Sequence, residues 1–303
     1  MTHTGALLEY LNHNDIFFLA SEPMSRHTTF RIGGPADLMA YPTRRRELCE
    51  LVKLCRTEGI PYFTLGNGSN LLVSDKGIRG LVIVTDRLRR VRFAPDDTVE
   101  CWCGEKLGHL ASLARSYSLS GLEFTQGIPG TVGGALSMNA GAYGHEIGEL
   151  VIESEYVDEE GQLRTIAAPR HQFGYRTSLF KDSQKILVRT RLLLKLGKQE
   201  EIDAEMARMA AARREKQPLE LPSAGSVFKR PEGHFAGKLI EDCGLKGARV
   251  GGACVSEKHA GFIVNTGGAT CRDVLTLIEQ IQKTVRDRFG VELEPELRTV
   301  GLE

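Results

Sequence analysis

The spacing of hydrophobic positions along this chain changes between helical and strand periods. Residues 47–58 carry apolar side chains on one helical face, and Gly59 and Pro61 predict the end of that helix. The same period indicates a helix over about 106–118 that ends before Gly121. Thr270 is the predicted N-cap of a later helix. The remaining helices are predicted over 200–216, a charged segment, and 271–289.

Short apolar runs separated by Gly, Asn and Asp indicate strands with tight turns. Four runs lie between residues 61 and 103: YFTL, NLLV, LVIV and VECW. Residues 151–167 predict two strands around a Glu-Gly turn. ILVRTRLLLKL at 186–196 predicts a buried strand, and VELEPELRTV at 291–300 predicts a terminal one. Mixed elements without an internal repeat predict an α+β fold with a larger N-terminal part and a smaller part from about residue 200, reached through a linker flanked by Pro218 and Pro222.

Composition excludes some classes of partner. The chain has 303 residues, and its 39 Lys and Arg balance 39 Asp and Glu, so no overall field attracts nucleic acid or an anionic membrane. The N-terminus MTHTGALLEYLNHNDIFF lacks a basic region followed by a long apolar run, and no later window is apolar enough to cross a membrane. We therefore expect a cytoplasmic protein that binds neither nucleic acid nor membrane.

Cysteine and histidine spacing indicates no metal site. The seven cysteines show no repeated spacing, and Cys101 and Cys103 lie on one face of a predicted strand without a matching second pair. His109, His145 and His259 have no partner at ligand spacing. We expect reduced thiols that pack in the core, and no bound metal.

Two glycine-rich segments contain the clearest candidate chemistry. GNGSNLL covers 66–72 and GIPGTVGGALSMNAGAYG covers 127–144. Glycine allows backbone N–H groups to converge on an anion, and Ser69 and Asn70 add side-chain donors. No GK[ST] follows, and no GxGxxG opens a βαβ unit, so a P-loop NTPase or Rossmann dehydrogenase is disfavoured. Tight structural turns are the alternative explanation. Two long segments together favour a dinucleotide such as FAD.

Seven motifs follow in order along nearly the whole chain: HTTFRIGGPADLMAYP at 27–42, LGNGSNLLVSD, GLEFTQGIPGTVGGALSMNAGAYG, FGYRTSLFK, PSAGSVFKRP, FIVNTGG and LEPELRTVG. Together they resemble the UDP-N-acetylenolpyruvoylglucosamine reductases. The resemblance implies an FAD-binding domain of the vanillyl-alcohol-oxidase (PCMH) type plus a smaller C-terminal α+β substrate domain. It divides the chain into an N-terminal segment at 1–25, an FAD-binding domain of two α+β subdomains at 26–197, and a substrate-binding domain at 198–303.

The same resemblance implies cofactors and reaction. FAD would be non-covalent, since GNGSNLL has no histidine to attach it, and NADPH would be the co-substrate. The reaction would reduce UDP-N-acetylglucosamine enolpyruvate in peptidoglycan precursor synthesis. The implied cofactor-binding residues are Gly66, Asn67, Gly68, Ser69, Asn70, Leu71, Gly127, Ile128, Pro129, Gly130, Thr131, Gly134, Asn139, Gly141, Ala142 and Tyr143.

Three catalytic residues carry over by motif. Arg176 in FGYRTSLFK would stabilise the negative charge that develops beside the substrate carboxylate. Ser226 in SAGSVFK would donate a proton to the substrate carbon that carries this negative charge. Glu296 in LEPELR would stabilise the intermediate if it is protonated, or orient the donor through a water molecule. Glu294 is its rival, because a strand would place both carboxylates on one face.

Residues for the substrate also follow from the resemblance. Tyr175 would contact the sugar or diphosphate, and Lys216 in REKQP would lie near the diphosphate. Arg230 departs from the family pattern, because an asparagine is expected there to contact the nucleotide. The short distance between FGYRTSLFK and the strand at 186 resembles the shorter subtype, which lacks an inserted tyrosine loop.

Other functions remain open at this point. Another flavin oxidase or dehydrogenase of the same fold would lack the Ser226 and Glu296 motifs. A non-catalytic nucleotide-binding module would keep the glycine segments without turnover, and a structural interaction protein would have no use for them. We expect a monomer or a weak oligomer whose partners are small molecules.

Overall fold

A computed structural model describes residues 5–302 of the chain. Residues 1–4, part of the predicted N-terminal segment, lie outside that range. The helices are α1 (Gly5–His13), α2 (Arg45–Thr57), α3 (Leu107–Ser116), α4 (Val132–Ser137), α5 (Gln199–Lys216), α6 (Ala236–Asp242) and α7 (Cys271–Phe289), with 3-10 turns at Met24–Arg26, Glu123–Thr125, Ile147–Leu150 and Ala168–His171.

The strands are short, as the turn residues between them predict. In chain order they are β1 (Phe18–Pro23), β2 (Pro35–Ala40), β3 (Tyr62–Leu65), β4 (Leu71–Val73), β5 (Ile78–Val84), β6 (Val91–Phe93), β7 (Thr98–Trp102), β8 (Leu119–Ser120), β9 (Gly141–Ala142), β10 (His145–Glu146), β11 (Val151–Val157), β12 (Leu163–Ala167), β13 (Ile186–Leu193), β14 (Lys195–Leu196), β15 (Ser223–Ser226), β16 (Arg249–Val250), β17 (Ala253–Val255), β18 (Phe262–Asn265) and β19 (Arg298–Val300).

The chain divides into two compact units, each built from several segments. The first comprises the described residues up to Ala20 with Leu38–Asn67 and Gly80–Ala211. The second comprises Ser21–Asp37, Gly68–Arg79 and the described residues from Ala212 onward. The chain therefore passes repeatedly between the units, once within the first glycine segment after Asn67.

Antiparallel pairing dominates the first unit. Its five-stranded sheet has the order β12-β11-β13-β7-β6, and most of a four-stranded sheet of order β1-β2-β5-β3 also lies here. Cys101 and Cys103 are buried in one hydrophobic core with α2, α3 and α4. Burial raises the pKa of the Cys103 thiol to about 12, as expected of an unreactive packing cysteine.

The second unit has its own core around α7. A sheet of order β15-β18-β17-β16 packs with α6 and α7, and β19 pairs in parallel with β4. The α7 side chains predicted to face inward are all buried: Val274, Leu277, Ile278, Ile281 and Val285.

The α7 prediction is confirmed because its start and end signals are local. The Thr270 hydroxyl accepts from the Asp273 N–H at 3.1 Å, and Asp273 Oδ2 accepts from the Thr270 N–H at 3.0 Å, which completes a capping box. Gly290 ends the helix with φ +69°, in the left-handed region where glycine carries no Cβ penalty.

Two strand predictions are wrong in extent. The run at 186–196 forms a strand only to Leu193, which is half exposed, and Lys195–Leu196 pair separately with β8. The terminal run forms a strand only at Arg298–Val300, with one isolated bridge between Pro295 and Phe228 before it. The bridge is made by the Lys229 N–H to the Glu294 carbonyl and the Glu296 N–H to the Val227 carbonyl, so the missing N–H of Pro295 loses no bond there. From Arg298 the chain pairs with β4 instead. Within residues 5–302, no helix is long and apolar enough to cross a membrane.

Candidate functional site

The first glycine segment presents unused backbone donors. Within residues 5–302, the N–H groups of Asn67, Gly68, Ser69 and Asn70 have no hydrogen-bond acceptor. Gly68 has φ +60°, and a Cβ there would lie 2.1 Å from the His27 carbonyl oxygen. Only glycine can satisfy both demands. The turn therefore keeps successive N–H groups available to an anion.

At the start of α4, the second glycine segment uses its backbone donors within the protein. The N–H groups of Val132 and Gly133 donate to the carbonyls of Glu105 at 2.8 Å and Cys103 at 2.9 Å, and the Gly134 N–H donates to Thr131 Oγ1 at 3.3 Å. The expectation that backbone donors of both segments converge on an anion is therefore not met at the start of α4. The first turn of α4 therefore offers a surface without side chains, but no free backbone donors from Val132 to Gly134.

Contacts inside the first unit hold the two segments near each other. The Asn67 side-chain amide donates to the Pro129 carbonyl at 2.6 Å. A Cβ on Gly66 would lie 2.6 Å from Thr131 Oγ1, which explains the glycine by the protein's own packing. Gly134 is different, because a Cβ there would meet only Thr131 Oγ1 at an ordinary 3.5 Å. Since Gly134 is also exposed, nothing in the described protein requires glycine at this helical position.

Asn139 is an internal connector. It is 2 % exposed and has φ +43°. Its side-chain amide donates to Glu146 Oε2 at 2.6 Å and to the Gly174 carbonyl at 3.1 Å, and its oxygen accepts from the Gly148 N–H at 2.9 Å. These bonds tie the end of the glycine segment to the FGYRTSLFK motif and leave the Asn139 side chain little capacity for a ligand.

Arg176 lies at the corner of a tight hairpin in the first unit. Gly174 and Thr177 exchange backbone hydrogen bonds of 3.1 and 3.2 Å, so Tyr175 and Arg176 are the two corner residues. Arg176 has φ +54°, a left-handed conformation that costs about 1–2 kcal/mol for a residue with a Cβ. Its guanidinium donates to the Gly141 carbonyl at 3.1 Å and lies 5.0 Å from the Tyr175 ring centre.

Tyr143 and Ala142 complete this region. Tyr143 has φ +56°, is 42 % exposed, and donates its hydroxyl to the Met209 carbonyl at 3.1 Å. Ala142 pairs with His145 in the short hairpin of β9 and β10. The hairpin thus fixes the backbone conformation at the end of the second glycine segment.

In the second unit, Ser226 and Glu296 lie on adjacent segments. Ser226 is exposed at the end of β15, after Gly225 with φ +79°. The Glu296 N–H donates to the carbonyl of Val227, the next residue, at 2.7 Å. The irregular register between Ser223 and Ser226 shows that β15 leaves regular pairing just before the serine.

Asn70 fixes the Glu296 backbone from the other side. The Asn70 amide donates to the Glu296 carbonyl at 3.2 Å, and the Asn70 carbonyl accepts from the Arg298 N–H at 2.9 Å. The rival Glu294 forms an ion pair with Lys229 and its side chain is 68 % exposed. The second unit therefore brings Ser226, Glu296 and part of the first glycine segment together.

The motif at 27–34 supports the first glycine segment, although sequence reasoning gave it no role. The Thr29 N–H donates to the Gly68 carbonyl at 3.1 Å, and its hydroxyl donates to the Ser223 carbonyl at 2.7 Å. Asn265 donates to the Phe30 carbonyl at 3.1 Å. The signal in the sequence was the pair of threonines, Thr28 and Thr29, beside the apolar residues Phe30 and Ile32.

The remaining predicted substrate residues lie on exposed parts of the second unit. Lys216 ends α5, and its side-chain ammonium has no hydrogen bond or ion pair with the described residues. The Arg230 guanidinium lies 4.0 Å from the Phe235 ring centre, and its Nε donates to the His234 carbonyl at 3.3 Å.

Comparisons with known proteins agree across the chain. A profile of the UDP-N-acetylenolpyruvoylglucosamine reductase C-terminal domain matches residues 217–300, and one of an FAD binding domain matches residues 36–167. The chain is 50 % identical over 295 residues to UDP-N-acetylenolpyruvoylglucosamine reductase of Caldanaerobacter subterraneus subsp. tengcongensis, covering 97 % of each. It is 36 % identical to the crystal structure of UDP-N-acetylenolpyruvylglucosamine reductase (MurB) from Thermus caldophilus, with a TM-score of 0.79 over 94 % of this chain and 99 % of that one.

A more distant structure confirms the predicted fold class. Berberine bridge enzyme from Eschscholzia californica has 19 % identity and a TM-score of 0.51, covering 64 % of this chain and 44 % of that one. At this identity the likeness concerns the fold alone. Together with the matching profile, it confirms the α+β fold with an FAD-binding domain of the vanillyl-alcohol-oxidase type.

Proposed function

Since the chain belongs to the UDP-N-acetylenolpyruvoylglucosamine reductase family, we propose how its own residues perform the family reaction. That reaction is the NADPH-dependent reduction of UDP-N-acetylglucosamine enolpyruvate to UDP-N-acetylmuramate in peptidoglycan precursor synthesis. The segments at 66–71 and 127–143 would hold FAD without a covalent link, and FAD would supply the hydride-transfer chemistry between NADPH and the enolpyruvyl group.

The first glycine segment fits the cofactor best. A pyrophosphate carries negative charge that must be neutralised, and the N–H groups from Asn67 to Asn70 are unused within the described residues. Gly134 offers an exposed surface without a Cβ, which suits close approach of a flat or bulky group. In this proposal the segment at 66–71 binds the pyrophosphate, and the residues named at 127–143 shape the remainder of the FAD site.

Arg176 serves as the electrostatic stabiliser. Hydride addition to the enolpyruvyl carbon leaves an enolate-like charge next to a carboxylate, and a guanidinium fork complements two such oxygens. The left-handed backbone of Arg176 supports this role. Glycine could occupy the same hairpin corner at lower conformational cost, so the strained arginine indicates that its side chain is needed there. The hydrogen bond to the Gly141 carbonyl restricts the guanidinium further.

The juxtaposition of Ser226 and Glu296 carries the catalytic assignment. Ser226 is exposed where β15 ends, and the Glu296 backbone is bonded to Val227 at 2.7 Å. The serine hydroxyl donates the proton that completes the reduction, over a short distance. Glu296, if protonated, stabilises the intermediate, or it orients that donor through a water molecule. Glu294 is the weaker candidate, because it pairs with Lys229 on the surface.

Tyr175, Lys216 and Arg230 form the substrate contacts in this proposal. Tyr175 is 49 % exposed beside Arg176, and Lys216 carries an exposed ammonium that suits a diphosphate. Arg230, stacked on Phe235, replaces the expected asparagine with a planar cation. We assign cofactor binding to 26–197 and substrate binding to 198–303, and we expect a cytoplasmic protein that is a monomer or a weak oligomer.

Separate measurement of the two half-reactions tests the assignment. In Ser226→Ala, NADPH should reduce the flavin at the normal rate, while reoxidation by the enolpyruvyl sugar should slow by about 10²–10⁴-fold, because only the second step needs the proton. Ser223→Ala is the matched control, since the Ser223 hydroxyl lies on the same strand and should leave both rates unchanged. Equal slowing of both half-reactions in Ser226→Ala would remove the serine from this role.

A further inference from the structure

A pocket in the first unit lies apart from every residue assigned above. It has a volume of about 460 Å³ and forms between the start of α2 and the strands β7 and β13. Trp102 and Arg189 are direct partners across those two strands, so their side chains share one face of the sheet. Its lining residues, here called the arginine pocket, are Thr43, Arg44, Arg45, Arg46, Arg90, Glu100, Trp102 and Arg189.

The charge of the arginine pocket is unbalanced. Five arginines line it, with one acidic residue, Glu100. Because acidic and basic residues are equal in number over the whole chain, general basicity does not explain this concentration. Glu100 and Glu155 pair with Arg189, and Glu155 also pairs with Arg45 at 3.4 Å.

Two of the five arginines are not neutralised. In the part of the chain that the structure describes, neither Arg46 nor Arg90 forms an ion pair or a side-chain hydrogen bond. A third, Arg44, meets only Glu47, at 3.8 Å. The pocket therefore holds positive charge that the neighbouring carboxylates leave uncompensated.

The position of three arginines is unfavourable without an anion. Arg44 is the N-cap of α2, and Arg45 and Arg46 begin its first turn. The positive end of the helix dipole lies there and favours acidic side chains, of which this turn has only Glu47. A bound anion would reverse the penalty, because both the dipole and the guanidinium groups attract it.

The donor chemistry favours phosphate. All five cations are arginine and none is lysine, and the guanidinium fork matches two oxygens of a phosphate at once. The indole N–H of Trp102 is buried and has no hydrogen-bond partner among residues 5–302. The cavity is within the range of small-molecule sites and is much larger than one phosphate needs.

We propose that the arginine pocket binds a phosphorylated small molecule that carries two or more phosphate charges. The ligand's phosphates contact Arg46 and Arg90, and its remaining part lies against Trp102. The shared chemistry is a diphosphate, which either an inorganic diphosphate or a nucleoside diphosphate provides. This site is independent of the reductase chemistry, so its test does not depend on turnover.

Trp102 provides a direct signal, because it is the only tryptophan in the chain. The FAD-loaded enzyme is titrated with pyrophosphate, and in a parallel arm with ADP, while NaCl holds the ionic strength constant. Tryptophan fluorescence should change saturably. Much tighter binding of ADP would identify a nucleotide ligand, whereas equal binding would show that the phosphates alone are recognised; both results support the proposal.

Variants decide whether the signal comes from the pocket. Arg46→Gln and Arg90→Gln, made separately, should each weaken binding about tenfold or more, as expected on loss of a charge-assisted contact. Arg92→Gln, an exposed arginine on β6 outside the pocket, is the matched control and should bind normally. Flavin absorbance and circular dichroism establish that each variant is folded. The absence of a saturable change, or a change that both pocket variants retain, would overturn the proposal.

Discussion

Gly134→Ala separates the needs of the protein from those of its cofactor. Gly134 lies in α4, and the Ala side chain would meet only Thr131 Oγ1 at 3.5 Å, an ordinary contact. The alanine should stabilise the cofactor-free protein by about 0.5–1 kcal/mol through helix propensity. If FAD lies against this position, the same methyl group must weaken FAD binding.

The expected loss in affinity follows from the same geometry. A methyl group forced into a well-packed contact costs about 1–3 kcal/mol, which corresponds to about a 5- to 150-fold weaker Kd. Gly108→Ala is the matched control, because Gly108 lies in α3 and a Cβ there has no neighbour within 4 Å among the described residues. It should bring a comparable gain in stability and no change in FAD affinity.

The assay needs two measurements on each variant. Thermal unfolding of the cofactor-free proteins should give a Tm about 1–4 °C higher for both alanine variants. Titration with FAD, followed by quenching of flavin fluorescence, should show weaker binding for Gly134→Ala alone. Normal FAD affinity in Gly134→Ala would refute close approach of the cofactor at this residue.

Three further predictions concern stability and kinetics. Burial lowers the pKa of His171 below its usual value near 6.5, so the unfolded chain binds more protons than the folded one as pH falls through 6.5. The free energy of unfolding should then fall by up to about 1.4 kcal/mol per pH unit. Urea unfolding at pH 7.5 and 5.5 should show a smaller pH effect in His171→Gln than in the unchanged protein, and an equal effect would exclude this histidine. Thr270→Ala should destabilise the protein by about 1 kcal/mol through loss of the α7 N-cap. Thr276→Ala, inside the same helix, should be neutral or slightly stabilising. Equal midpoints of urea unfolding for the two variants would contradict the capping role. NADPH and the sugar should react in turn, so double-reciprocal plots should be parallel, and intersecting lines would reject that order.

Local signals made much of the fold predictable from the sequence. The start of α7 at Thr270 and its end at Gly290 depend on residues within one turn of each terminus. The strands of residues 151–167 are joined by a short turn, and their pairing required no distant information. Such elements are specified by neighbours along the chain.

Pairing between distant segments was not predictable. β19 is short because the terminal run changes partner: residues 294–296 bond to residues 227–229, and pairing with β4 begins at Arg298 and Leu71. The Asn70 side chain bonds to Glu296, 226 residues away in sequence. No local period encodes such contacts.

The candidate site shows the same division. Motifs identified Ser226 and Glu296, and the second unit brings their segments together. The sequence did not reveal that the donors of Val132 and Gly133 are consumed by carbonyls of the protein, while those from Asn67 to Asn70 are not. Glycine content alone cannot show whether a glycine is needed for packing within the protein or for close approach of a ligand, because a Cβ would be excluded in both cases.

The most direct test of the central claim is an anaerobic titration of the purified protein. NADPH should bleach the flavin absorbance, and subsequent addition of UDP-N-acetylglucosamine enolpyruvate should restore it with formation of UDP-N-acetylmuramate. A flavin that is bleached by NADPH but not restored by the sugar would contradict the reductase mechanism.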